Sequence, residues 1–172
     1  MAEELEHALP DDITRRAHHV LQTASEKDLA LATAESCTGG LLASLLTDVT
    51  GVSHVFERGF VAYSDAAKCD LLGIEREMVD NCGAVSREVA LAMAKGALAR
   101  SQADIAVSIT GFAGPAGEDD EEGLVHFALA VKEGEPVQRE EHFGAIGRDG
   151  VRVASLRTAL AMMGDAVGCG EG

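Results

Sequence analysis

The hydrophobic pattern of this chain switches repeatedly between a period of about 3.6 residues and a period of 2, and few folds accommodate that alternation. Ile13, Ala17, Val20, Leu21 and Ala24 recur at helical spacing behind Asp11 and Asp12, either of which can cap a helix. Leu29 to Thr33 reads as a short strand, and Leu41, Leu42, Leu45 and Leu46 as the inner face of a helix that starts just after Gly39-Gly40. Phe56 to Tyr63 predicts a second strand. Ser64 then caps a short helix ended by Gly73, and Ser86 caps a longer one carrying Val89, Ala90, Met93, Ala94 and Ala97 to near Arg100. Ile105, Val107 and Ile109 alternate with Ala106 and Ser108 as a buried strand should. Leu124 to Val131 and Val137 to Phe143 flank the turn residues Glu133-Gly134-Glu135-Pro136 as a hairpin, and a last helix opens near Asp149 and runs through Met163.

Strands alternating with helices over the first two-thirds imply parallel pairing through helical crossovers, whereas the late hairpin must be antiparallel. The expected architecture is an α/β fold, a three-layer α/β/α sandwich on a mixed, mostly parallel sheet. At 172 residues and 47% hydrophobic, one domain suffices. It spans residues 11–165, between a frayed acidic terminus at 1–10 and a flexible tail at 166–172. Aromatics are 3% and Trp is absent, so Ala, Leu, Val and Ile must fill the core, which suits helices packed closely on a sheet.

The formal net charge of -15, with no local Lys/Arg cluster, repels phosphate backbones and argues against nucleic acid as a partner. Acidity of this kind serves solubility or life at high salt. Cys37, Cys69, Cys82 and Cys169 have no CxxC spacing and no histidine at ligand distance, so no metal site is read. No apolar leader and no run near the length of a membrane span is present, and reduced thiols in a cytoplasm are the simplest expectation. A homodimer or higher homo-oligomer is the general expectation for soluble chains.

Open α/β sheets bind ligands beyond the carboxyl ends of their strands, and two Gly-rich segments fall there, Ser36 to Gly40 and Thr110 to Gly117. At the first, N–H groups of Thr38, Gly39 and Gly40 can hold an anion or a developing oxyanion; a tight turn with no ligand fits the same residues. Ser36 is a candidate nucleophile, with Cys37 as its rival at a helix start. Of the possible bases, His54 falls in a loop, His126 within a strand and His142 near a strand end. Tyr63 and Lys68 offer a Ser-Tyr-Lys or Ser-Lys arrangement, in which the lysine pKa must drop by about three units, ~4 kcal/mol of differential stabilisation. Glu35 could orient a lysine or an amide, or serve the helix start; Ser108 and Thr110 could position Ser36 or a substrate. The acidic run Glu118 to Glu122 predicts a solvated, mobile loop.

Thr33-Ala34-Glu35-Ser36-Cys37-Thr38-Gly39-Gly40, Phe56-Glu57-Arg58-Gly59-Phe60-Val61-Ala62-Tyr63-Ser64 with Lys68, Gly83-Ala84-Val85-Ser86, and Ser108-Ile109-Thr110-Gly111-Phe112-Ala113-Gly114-Pro115 follow one another in order. Together they resemble the CinA C-terminal domain family, of the stand-alone PncC type, over nearly the whole chain beyond the first helix. The resemblance implies hydrolysis of the carboxamide of nicotinamide mononucleotide to nicotinic acid mononucleotide and ammonia, with no metal or organic cofactor. It implies Ser36 as nucleophile, Lys68 helped by Tyr63 as base, and a substrate site drawing on Glu35, Thr38, Gly39, Gly40, Ser108, Thr110, Gly111 and Gly114. Arg148 and Arg152 match the family's Gly-x-Arg and following arginine and are candidates for the substrate phosphate. The chain departs from the family after Gly114-Pro115: in place of a Lys-Pro-Val-Gly run it has Ala116-Gly117-Glu118-Asp119-Asp120-Glu121-Glu122-Gly123-Leu124-Val125. The competing expectation is a non-catalytic competence- or damage-associated interaction module. A dinucleotide-binding dehydrogenase is disfavoured because no G-x-G-x-x-G follows the first strand.

Overall fold

The computed structural model describes residues 9–169. In chain order the elements are α1 (Asp11–Glu26), β1 (Leu31–Glu35), α2 (Leu41–Thr47), β2 (Phe56–Val61), α3 (Asp65–Leu72), α4 (Arg76–Cys82), α5 (Arg87–Ala99), β3 (Ile105–Gly111), β4 (Leu124–Val131), β5 (Val137–His142) and α6 (Arg148–Val167). They form a five-stranded sheet in the order β2-β1-β3-β4-β5 with helices on both faces. β1 pairs in parallel with β2 and β3, while β3–β4 and β4–β5 are antiparallel. The sheet is mixed, and its antiparallel share is larger than the pattern suggested. The reason is that β4 returns directly alongside β3 as well as forming the hairpin with β5.

The two faces of the sheet differ in side-chain size, and the alternation along the strands explains why. Leu31, Ile105, Val107, Ile109, Val125, Phe127 and Leu129 point to one side, where α1, α2 and α6 bring Ile13, Leu21, Leu42, Leu46, Leu156 and Leu160. Fully burying each Leu, Ile or Phe there contributes about 1.5–3 kcal/mol. The alternate residues Ala32, Ala34, Ala106, Ala128 and Ala130 form the other face, beneath α3, α4 and α5. Small residues let α5 lie close to the sheet, and Ser108 uses that closeness to donate from Oγ to the Ala90 carbonyl at 2.6 Å. At Gly96 of α5 a Cβ would stand 2.2 Å from the Leu72 carbonyl oxygen, so the end of α3 packs where only glycine fits.

The local signals act where they were read, with some shifts. Ser64 accepts from the Ala67 N–H and Ser86 from the Val89 N–H, starting α3 and α5, and Gly73 closes α3 in the left-handed conformation at φ +66°. Neither Asp11 nor Asp12 caps α1: Pro10 takes the cap position and both acids lie in the first turn, Asp12 paired with Arg157 of α6 at 2.7 Å. β1 begins two residues later than expected, because the Ala30 N–H is taken by the Asp104 carboxylate and Leu31 is the first residue in the ladder. α4 has Val79 as its one buried residue and no side-chain cap, which leaves it without a periodic signature. α6 opens at Arg148 behind Gly147 and continues past Met163 because Val167 is also drawn into the core. The tail anticipated from residue 166 therefore overlaps the helix, and at the other end Leu9 packs against the core. The remaining terminal residues, 1–8 and 170–172, lie outside the described part. Among the described residues no helix is long and apolar enough to cross a membrane, and all four cysteines are free thiols.

Candidate active site

β1, β2 and β3 run in parallel and end on the same side, so the residues following each strand gather at one rim. β1 is the central member of the three. Its ladder extends one step further, with the Ser36 N–H donating to the Ile109 carbonyl at 2.9 Å, and this holds Ser36 at the end of a rigid strand. The chain then turns sharply. The Gly39 N–H donates to the Ser36 carbonyl at 3.0 Å and the Leu41 N–H to the Thr38 carbonyl at 3.0 Å. Gly39 and Gly40 take φ of +60° and +96°, values that disfavour any residue with a Cβ.

Glu35 anchors this turn from below. It is fully buried, and its carboxylate accepts from the Thr38 hydroxyl at 2.6 Å and from the Leu42 and Ala43 N–H groups at 2.9 and 3.0 Å. Those bonds satisfy the first N–H groups of α2 and leave Glu35 and the Thr38 side chain away from the cavity wall. Of the two roles open to Glu35, these bonds are those of the helix start, and they engage the hydroxyl of Thr38 but not its N–H.

Lys68 comes from the first turn and a half of α3, whose start is set by Ser64. Its side chain is only 2% exposed, and Nζ lies 3.0 Å from Ser36 Oγ and 3.2 Å from the Tyr63 carbonyl, donating to both. Burial holds the Lys68 amine below the ordinary lysine range by penalising the charged form, against a smaller opposing pull from the Asp65 carboxylate. A buried amine in contact with a serine hydroxyl is the arrangement that a lysine base requires. Tyr63 enters differently from expectation: it binds Lys68 through its backbone carbonyl, while its side chain, 64% exposed, forms part of the rim.

These groups line a cavity of about 310 Å³, together with Thr110, Gly111 and Gly114 from the second Gly-rich segment and Arg148 from the start of α6. That volume falls at the small end of ligand pockets. Thr110 donates its hydroxyl to the Ala84 carbonyl at 2.8 Å, bringing the segment before α5 into the wall. Ser108 stays under α5 and does not reach it. The acidic run is solvent-exposed at Glu118 to Glu121, yet one of its members also belongs to the cavity, which its acidic neighbours in sequence do not signal. Asp120 closes a turn through its N–H to the Gly117 carbonyl at 3.1 Å and lines the cavity. The Gly117 turn residue was the available signal.

The rival nucleophile and bases lie elsewhere in chemistry or in space. Burial pushes the Cys37 thiol up to about 12, so it carries almost no thiolate at neutral pH despite its place before α2. His54 pairs with Ser25, and His126, held below its usual value by burial, contacts Gln138. His142 sits between Glu121 and Glu140 at 2.6 and 2.8 Å, and those carboxylates raise its pKa. None of the three lines the cavity. Arg152 also stays out of the wall; it donates from Nε to the Cys37 carbonyl at 2.9 Å.

A family model described as the CinA C-terminal domain matches residues 13–167. The chain is 43% identical over 151 residues to the nicotinamide-nucleotide amidohydrolase PncC of Escherichia coli strain K12, covering 87% of this chain and 91% of that protein. It is 54% identical over 118 residues to a CinA-like protein of Chlorobium phaeobacteroides, of which it spans 28%. Among solved structures, the competence/damage inducible protein CihA of Agrobacterium tumefaciens superposes with a TM-score of 0.89 at 45% identity, covering 93% of this chain and 98% of that one.

Proposed function

Because this chain belongs to the CinA C-terminal domain family, we propose that it is an amidohydrolase that converts nicotinamide mononucleotide to nicotinic acid mononucleotide and ammonia. The observation that carries this reading is the 3.0 Å contact between Lys68 Nζ and Ser36 Oγ inside the cavity. With the amine neutral, the same contact runs in reverse and the Ser36 hydroxyl donates to the Nζ lone pair. Ser36 Oγ attacks the carboxamide carbon as Lys68 takes the hydroxyl proton, and the tetrahedral oxyanion forms beside the turn. Lys68 then gives its proton to the departing nitrogen, which leaves as ammonia, and the acyl group stays on Ser36. Water activated by the neutral amine attacks that ester, releasing the carboxylate and restoring the hydroxyl.

Stabilisation of the oxyanion falls to backbone donors. Gly39 has spent its N–H on the Ser36 carbonyl, whereas the N–H groups of Cys37, Thr38 and Gly40 have no backbone partner among the described residues and are the donors of this scheme. The Tyr63 carbonyl orients the amine, and its ring forms a wall for the nicotinamide. Thr110 is the hydroxyl within reach of the substrate. A nucleotide with a cationic pyridinium and an anionic phosphate meets a cavity carrying Asp120 and Arg148, one charge of each sign. On this reading the reaction belongs to pyridine-nucleotide recycling in a cytoplasm, where the four cysteines remain thiols.

The test is ammonia release from nicotinamide mononucleotide by the purified protein and by Ser36→Ala. Turnover by the wild type that Ser36→Ala loses, with an unchanged melting curve, is the expected outcome. No release by the wild type from neutral to alkaline pH would leave the non-catalytic interaction module as the better description.

A further inference from the structure

Arg148 and Arg152 stand one turn apart on α6, yet only Arg148 reaches the cavity wall. Arg152 is half-buried and directs its guanidinium at the turn that presents Ser36. Its Nε donates to the Cys37 carbonyl, and Nη2 lies 3.7 Å from where a Cβ on Gly39 would stand. The contact joins residues 115 apart in sequence, so it ties the last helix to the catalytic turn.

The Cys37 carbonyl and the Thr38 N–H belong to a single planar peptide group. A charge-assisted hydrogen bond on the carbonyl oxygen fixes the orientation of that plane. It also draws electron density from the N–H at the other end, which makes the N–H a stronger donor. On the amidohydrolase reading, that N–H is one of the donors available to the oxyanion, beside those of Cys37 and Gly40. Glu35 holds the same turn through the Thr38 hydroxyl, so both residues of the peptide are tied, Cys37 to Arg152 and Thr38 to Glu35.

We propose that Arg152 is a positioning residue: it holds and polarises the Cys37–Thr38 peptide so that the Thr38 N–H meets the oxyanion, and it is not a ligand of the substrate phosphate. This rests on the amidohydrolase reading of Ser36. Its consequence is a split between chemistry and binding. Loss of Arg152 lowers turnover while leaving nucleotide affinity nearly intact.

The experiment compares Arg152→Met and Arg152→Lys with the wild type for kcat and KM on nicotinamide mononucleotide, alongside backbone hydrogen exchange over residues 36–41. Arg152→Met is expected to lose about tenfold to hundredfold in kcat, the range for a misplaced catalytic donor, with faster exchange in the turn and little change in KM. Arg152→Lys keeps a cationic donor and recovers part of kcat, an effect that general loss of packing does not produce. A raised KM with kcat intact makes Arg152 a phosphate ligand and overturns the proposal. Unchanged exchange at 36–41 in Arg152→Met overturns it as well. If the wild type releases no ammonia, the amidohydrolase reading fails on its own account, and the exchange measurement still decides whether Arg152 holds the turn.

Discussion

Replacing Lys68 with methionine removes the amine while preserving the length of a side chain that is only 2% exposed. Two consequences follow, of opposite benefit. A general base contributes typically about 10²–10⁴-fold, or roughly 3–5 kcal/mol of barrier, and turnover should fall by that factor. Stability responds through protonation. Burial lowers the Lys68 pKa below its ordinary 10.5, so between the folded-state value and 10.5 the unfolded chain binds more protons. Wild-type stability therefore rises with pH through that window and becomes independent of this group below it, where both states are protonated.

Each unit of depression corresponds to about 1.4 kcal/mol, which Lys68→Met no longer forfeits. The lost bonds to Ser36 Oγ and the Tyr63 carbonyl offset the gain by about 1 kcal/mol each. The variant's stability relative to wild type should be greatest at the acidic end of the window and shrink as pH rises. Urea unfolding at several pH values measures that trend, and a coupled ammonia assay on the wild type should show a rate that climbs with pH as the amine deprotonates. Turnover by Lys68→Met within a few-fold of wild type, or a stability difference that does not change with pH, would refute the assignment of a desolvated base.

Cys37→Ala should keep kcat within about twofold, since a thiol pushed up to about 12 supplies no nucleophile at neutral pH; a loss as deep as that of Ser36→Ala in the same assay would contradict this. Glu35→Ala strips the acceptor from the Leu42 and Ala43 N–H groups and should cost about 1–3 kcal/mol by chemical denaturation. Glu35→Gln, which keeps one acceptor oxygen, should cost less. Gly96→Ala places a methyl 2.2 Å from a backbone oxygen that cannot swing aside, and a loss of about 1–3 kcal/mol is expected in the same measurement.

Several parts of the site could be read directly from local chemistry. Ser64 and Gly73 bracket α3 because a hydroxyl cap and a left-handed glycine act within four residues of themselves, and that bracket alone places Lys68 on a helix following β2. Ser36 in a strand-to-helix turn is equally legible from the glycines behind it, whereas the extension of β1 to Glu35 comes from its pairing with β2 and β3. Glu35 was harder, because a carboxylate beside a candidate nucleophile looks like a ligand for substrate. Its commitment to α2 depends on β1 lying between β2 and β3, where Glu35 pairs with Val61 on one side and Ile109 on the other and is shut away from water. Arg152 was visible as a cation near Arg148, but its partner is a backbone carbonyl 115 residues earlier. Asp120 was assigned to solvent with its acidic neighbours, and only the turn at Gly117 brings it to the cavity.

By itself the sequence determined the strands and the helices other than α4, and the alternation of Ile105, Val107 and Ile109 with Ala106 and Ser108 along β3. Those features are periodicities of 2 and 3.6, written into residues close together along the chain. The tertiary structure decided how the chemical groups behave. Whether Lys68 is a charged surface residue or a desolvated amine, whether Cys37 is reactive, and whether Arg152 faces substrate or backbone all depend on which distant segments cover them. Desolvation and hydrogen bonding are set by neighbours in space, and the neighbours of Ser36 that matter come from α3 and α6, 32 and more than 100 residues away.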